Sequence, residues 1–70
     1  MNKYLIIIEK ANRNFSAYSP DLPGCIATGK TRKEVEKTIT EAIQIHLEGL
    51  KEDNLQISES TATAEYVVIN

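Results

Sequence analysis

The residues from Gly24 to Thr31 match the phosphate-loop pattern G-x-x-x-x-G-K-[ST] at every fixed position. In a nucleotide-binding protein, such a loop would wrap its backbone amides around phosphate groups, and Lys30 would reach the terminal phosphates. The loop must follow a buried parallel strand, but Gly24 is preceded by Ser19-Pro20-Asp21-Leu22-Pro23, and proline does not occupy central strands. The residues inside the motif, Cys25 to Thr28, are typical of a strand. We therefore predict that the chain binds no ATP and that Lys30→Ala has no such binding to abolish.

The remaining chemistry-bearing residues do not form a catalytic set. The chain has one histidine, His46, and one cysteine, Cys25, which together cannot complete a zinc site or an internal disulfide. We interpret His46 as a core histidine on the apolar face of a helix, and Cys25 as a small buried hydrophobic residue. The sequence has no Ser-His-Asp or paired-carboxylate pattern that would support catalysis. These features predict a protein that is not an enzyme and that holds no metal or cofactor.

Length and charge restrict the class of protein further. A chain of 70 residues makes one domain, residues 1–70, near the lower limit for a self-sufficient core. A formal net charge of -2 argues against binding to a nucleic acid backbone and suits a basic protein partner. The apolar run Leu5 to Ile8 is too short to cross a membrane, and the cysteine count predicts no disulfide. We therefore expect a cytoplasmic location and no membrane association.

The order of predicted elements is β-β-β-α-β. Thr31 and Glu34 form a capping-box pattern that opens a long helix, with Asn54 as a candidate C-terminal cap. The strands are predicted at Lys3–Lys10, Phe15–Ser19, Cys25–Thr28 and Ala64–Asn70, and the helix from Arg32 to about Asp53. Connection rules then predict an α+β fold with an antiparallel three-strand meander, a fourth strand parallel to the first, and one long helix on one sheet face.

The first predicted strand is apolar on both faces. Tyr4, Ile6 and Ile8 point to one side, and Leu5 and Ile7 point to the other. This pattern predicts a central strand beside the last strand, covered on both sides. Because one helix covers only one face, the second face predicts a homo-dimer or a higher oligomer.

The segment Phe15-Ser16-Ala17-Tyr18-Ser19-Pro20-Asp21-Leu22-Pro23-Gly24-Cys25 holds a rigid acidic turn between two prolines. It is followed by Gly29-Lys30-Thr31, Glu34 and a long helix. This combination resembles the HicB antitoxin family, whose partial ribonuclease H-type fold has the β-β-β-α-β order. The resemblance covers nearly the whole chain. It does not extend to ribonuclease chemistry, because the first and last strands offer only Glu9 and Glu65 as carboxylates.

The resemblance implies a protein that binds and neutralises a HicA-like mRNA-cleaving toxin. Asp21, Leu22 and Pro23 are the candidate partner-binding residues, since a rigid acidic loop suits a protein contact. The sequence stops at Asn70, so we expect only the HicB-like domain and no C-terminal DNA-binding domain. The alternative is a stand-alone, homo-oligomeric HicB-like protein that has a structural or ligand-binding role and no toxin partner. A short basic reading frame beside the gene would favour the first hypothesis.

Overall fold

The structure, a computed structural model, describes residues 3–57 and 59–70. In these residues the chain forms three strands and one helix: β1 Ile7–Lys10, β2 Phe15–Tyr18, β3 Ile26–Gly29 and α1 Arg32–Glu52. The strands form one antiparallel sheet in the order β1-β2-β3. The predicted meander and the predicted long helix are therefore confirmed.

One face of the sheet packs against α1. The register places Ile8, Ala17 and Ala27 in a row across the three strands, and both alanines are buried. Small side chains at the centre of this row let the helix lie close to the sheet. Tyr4, Ile6 and Phe15 pack around the row, as the first strand's alternation predicts. The buried core consists of Ala17, Leu22, Cys25, Ala27, Val35 and Ile39.

The junction between β3 and α1 depends on Gly29. The third strand predicted at Cys25–Thr28 runs one residue further, since Gly29 is the last residue of β3 and pairs with Phe15. A Cβ atom at this position would lie 2.9 Å from the backbone nitrogen of Val35 and 3.2 Å from its Cα. The glycine is thus required because the first turn of the helix approaches the strand's backbone more closely than a side chain allows.

Both ends of α1 carry the caps that the sequence predicts. The Thr31 hydroxyl accepts a hydrogen bond from the Glu34 amide at 3.0 Å, while Thr31 itself is extended. At the other end, Asn54 adopts a φ of 56°, and the Leu55 amide donates to the Leu50 carbonyl at 2.8 Å. This arrangement ends the helix in a left-handed residue and satisfies carbonyls of its last turn.

The fourth strand predicted at Ala64–Asn70 is not formed in this chain. Residues 59–70 have no regular secondary structure, and among the described residues no backbone hydrogen bond joins 64–70 to β1. The prediction that β1 is central is therefore wrong for the single chain, where β1 is an edge strand. The molecule extends over 47 Å, and its radius of gyration of 13.7 Å exceeds the ~11 Å expected for a compact chain of this length.

Candidate partner-binding surface

The turn between β2 and β3 is closed by backbone hydrogen bonds. The Ser19 amide donates to the Cys25 carbonyl at 3.3 Å, the Leu22 amide to the Ser19 carbonyl at 3.2 Å, and the Cys25 amide to the Leu22 carbonyl at 3.1 Å. Gly24 has a φ of 89°, a conformation that L-residues rarely adopt. With Pro20 and Pro23 fixing two further φ angles, the turn is rigid.

Leu22 anchors this turn to the core. Its side chain is only 1% exposed and is among the largest fully buried side chains. The turn therefore presents Pro20, Asp21 and Pro23 at its surface, while the Leu22 side chain faces inward. Of the three predicted contact residues, Pro23 lies exposed and Asp21 is partly buried. Their binding to a partner stays a prediction.

Asp21 makes contacts that the sequence did not suggest. Its carboxylate accepts hydrogen bonds from the hydroxyls of Ser60 and Thr61, each at 3.2 Å, and from the Ala62 amide at 3.2 Å. These partners lie about 40 positions away along the chain, so local pattern could not pair them. The only sequence signal was two adjacent hydroxyl residues in a polar segment, which offer donors to any nearby carboxylate.

The same contacts set the charge state of Asp21. Desolvation alone would raise the pKa of its carboxyl, but the hydrogen bonds from the backbone and side chains of residues 60–62 outweigh it. They hold the pKa of Asp21 below its ordinary value of 3.8 because they favour the charged form. Asp21 is therefore a carboxylate at neutral pH, and it fastens the C-terminal segment to the turn.

The sheet face opposite α1 carries an exposed apolar row. Ile7, Tyr18 and Ile26 are paired side by side across the three strands, and their neighbours Ala17 and Ala27 point the other way, into the core. Ile26 is 71% exposed. Tyr18 ends β2 and Ile26 begins β3, so both lie next to the turn in sequence, and we call the turn together with this row the outer face.

In the structure, the residues that match the phosphate-loop pattern do not form a phosphate-binding loop. Ile26 to Gly29 are paired in β3, and Cys25 and Ala27 are buried, so these residues form no loop around a phosphate.

Burial raises the pKa of the Cys25 thiol, which disfavours its reactive thiolate form. His46 is partly exposed on the second half of α1 rather than buried.

The part of the chain that the structure describes lacks two further kinds of feature. Within it, no group of three or more His, Cys, Asp or Glu side chains is arranged to hold a metal ion. No helix within it has the length and apolarity needed to cross a membrane.

The fold and its surfaces define a small α+β domain with a rigid turn and an exposed apolar sheet face. The chain belongs to the HicB-like antitoxins of bacterial toxin–antitoxin systems, whose family model matches residues 4–69.

Curated relatives come from a phage, an archaeon and a bacterium. A 14.9 kDa protein from the rep–hol intergenic region of Haemophilus phage HP1 is 38% identical over 91% of this chain and 48% of its own length. The chain thus spans about half of that relative. A UPF0150 protein of Thermoplasma acidophilum is 41% identical over 86% of this chain and 88% of its own. A UPF0150 protein of Helicobacter pylori is 39% identical over 70% of this chain and 68% of its own length. No solved structure gave a significant match.

Proposed function

We propose that this chain is a non-enzymatic antitoxin that binds and neutralises a HicA-like mRNA-cleaving toxin. The observation that carries the proposal is the match to the HicB-like antitoxin model over residues 4–69, which spans the turn, the sheet and the helix together. The formal charge of -2 also suits a basic partner.

The outer face is the contact surface that the geometry favours. It combines the rigid turn at Asp21, Leu22 and Pro23 with the exposed side chains of Tyr18 and Ile26. Preorganised turns lose little conformational entropy on binding, and aromatic or aliphatic anchors carry most of the energy in protein interfaces. Leu22 contributes by holding the turn in place from below, while Pro23 and Ile26 meet the partner.

The proposal is tested by co-expressing the chain with the product of the short basic reading frame beside its gene. We expect the chain to restore growth that the toxin arrests and to copurify with it in a pull-down. Arrest that persists while the chain accumulates in folded form contradicts the proposal. A genome with no such reading frame would instead favour the stand-alone HicB-like protein.

The contact surface is tested with Ile26→Asp and a matched control, Thr28→Asp. Both place a carboxylate on the same exposed face of β3, but only the first buries a charge in the proposed interface. We expect Ile26→Asp to weaken toxin binding at least tenfold and Thr28→Asp to change it less than threefold. Equal affinities of the two variants for the toxin would show that this row is not part of the interface.

A further inference from the structure

The C-terminal segment 64–70 has a strand sequence but no strand partner within the described part of the chain. Tyr66 is fully exposed, and Val67, Val68 and Ile69 are between 77% and 86% exposed. Four large apolar side chains in succession are seldom left in water, because burying apolar surface is favourable. The segment is apolar on both faces, as a strand covered on both sides would be.

The segment starts from a fixed point and passes β1 without pairing to it. Asp21 holds residues 60–62 against the turn. Ala64 to Tyr66 then lie across a groove of about 490 Å³ from Ile6, Ile7 and Ile8, with Arg32 and Glu36 on its helix side. Beyond Tyr66, the side chains of Val67, Val68 and Ile69 stay exposed.

The outer edge of β1 lacks the neighbouring strand that the C-terminal segment could supply. No strand of the described residues pairs with this edge, and residues 4–8 are apolar on both faces of the strand. On the helix side, Tyr4, Ile6, Ile43 and Leu47 line a second hollow of about 280 Å³. On the opposite side, Leu5 and Ile7 are only partly buried. An unpaired edge of this kind is a template for an added strand.

We infer that residues 64–70 of one copy pair with the β1 edge of a second copy, and that the exchange is reciprocal. A second copy is the occupant that the structure favours, because residues 64–70 form no ladder with β1 of their own chain, while each copy offers both the apolar segment and the open edge. A two-fold arrangement then satisfies both at once and closes. In the dimer β1 becomes a central strand with a paired neighbour on each side. This inference does not depend on the proposed antitoxin function.

The test uses the 70-residue chain in two measurements. Light scattering is expected to give twice the 7.8 kDa of one chain. In a mixture of ¹³C-labelled and unlabelled chains, isotope-filtered spectra are expected to show contacts between methyl groups of Ile6 or Ile8 in one copy and of Val67, Val68 or Ile69 in the other. A monomer mass, or contacts that occur only within one chain, would overturn the inference. So would a dimer whose intermolecular contacts lie only on the outer face.

A proline variant supplies an independent check. Val67→Pro removes a ladder donor from the segment and should convert the dimer to a folded monomer with unchanged helix content. The matched control, Gln56→Pro, places proline in the exposed connection after α1 and should leave the dimer intact. If Val67→Pro remains as dimeric as the control, the segment does not carry the association.

Discussion

Gly29 is the residue whose replacement tests the strand–helix junction most directly. A Cβ there would lie 2.9 Å from the Val35 backbone nitrogen, so Gly29→Ala must push α1 away from β3. We expect a loss of about 1–3 kcal/mol in the free energy of unfolding, measured by urea denaturation. Gly49 is the matched control: it lies in the same helix with open space around its Cα, and Gly49→Ala should raise stability by up to ~1 kcal/mol. Equal effects at both positions would contradict the close packing at Gly29.

Asp21 makes the attachment of residues 60–62 dependent on pH. Because hydrogen bonds hold its folded-state pKa below 3.8, the attachment is stabilised above that pH and is lost as the pH falls through the lowered value. We expect the Ala62 amide chemical shift to titrate below pH 3.8. In Asp21→Asn this titration should be absent, and Ala62 should exchange its amide hydrogen faster at neutral pH. An Ala62 amide that is insensitive to both changes would show that the contact does not form in solution.

The helix stabilises the fold mainly through its first half. Val35 and Ile39, in its first half, are fully buried, whereas Ile43, in its second half, packs against the core but is only partly buried. Ile39 is fully buried and Ile45 is 70% exposed, although both belong to the same helix. Ile39→Ala should therefore cost about 2–5 kcal/mol of unfolding free energy, and Ile45→Ala less than about 0.5 kcal/mol. Similar losses at both positions would mean that the face of α1 that carries Ile45 is also packed.

The helix and the meander could be predicted from sequence because their signals are local. Thr31 and Glu34 mark the start of α1, Asn54 marks its end, and period-two apolar runs mark the strands. The position of the last strand could not be predicted in the same way. Its pairing depends on a partner strand far along the chain, and local propensity says nothing about which copy of the chain supplies that partner.

The candidate site was predictable only in part. The proline-bounded turn was visible in the sequence, but the burial of Leu22 depends on how the turn folds over the core. Likewise, the hydrogen bonds from Ser60 and Thr61 to Asp21 join residues whose proximity only the tertiary structure creates. The outer face could not be predicted because it depends on strand register. Tyr18 and Ile26 become neighbours only when β2 and β3 pair.

At the scale of the whole molecule, the proposed toxin contacts and the proposed strand exchange lie on different parts of the sheet. The outer face runs from Ile7 on β1 to Ile26 on β3, and its proposed toxin contacts Tyr18 and Ile26 lie on β2 and β3, whereas the proposed exchange takes place at the β1 edge. We therefore expect Ile26→Asp to lose toxin binding while keeping the dimer mass in light scattering. Val67→Pro should lose the dimer while still copurifying with the toxin. If either variant lost both properties while remaining folded, the two surfaces would be one.

The central claim is that this chain neutralises a ribonuclease by binding it. The most direct measurement is RNA cleavage by the purified product of the adjacent basic reading frame, titrated with the purified chain. We predict that cleavage falls in proportion to added chain and stops near a fixed stoichiometric ratio, and that Ile26→Asp shifts this endpoint to a large excess while Thr28→Asp does not. Cleavage that continues at full rate in the presence of excess folded chain would contradict the claim.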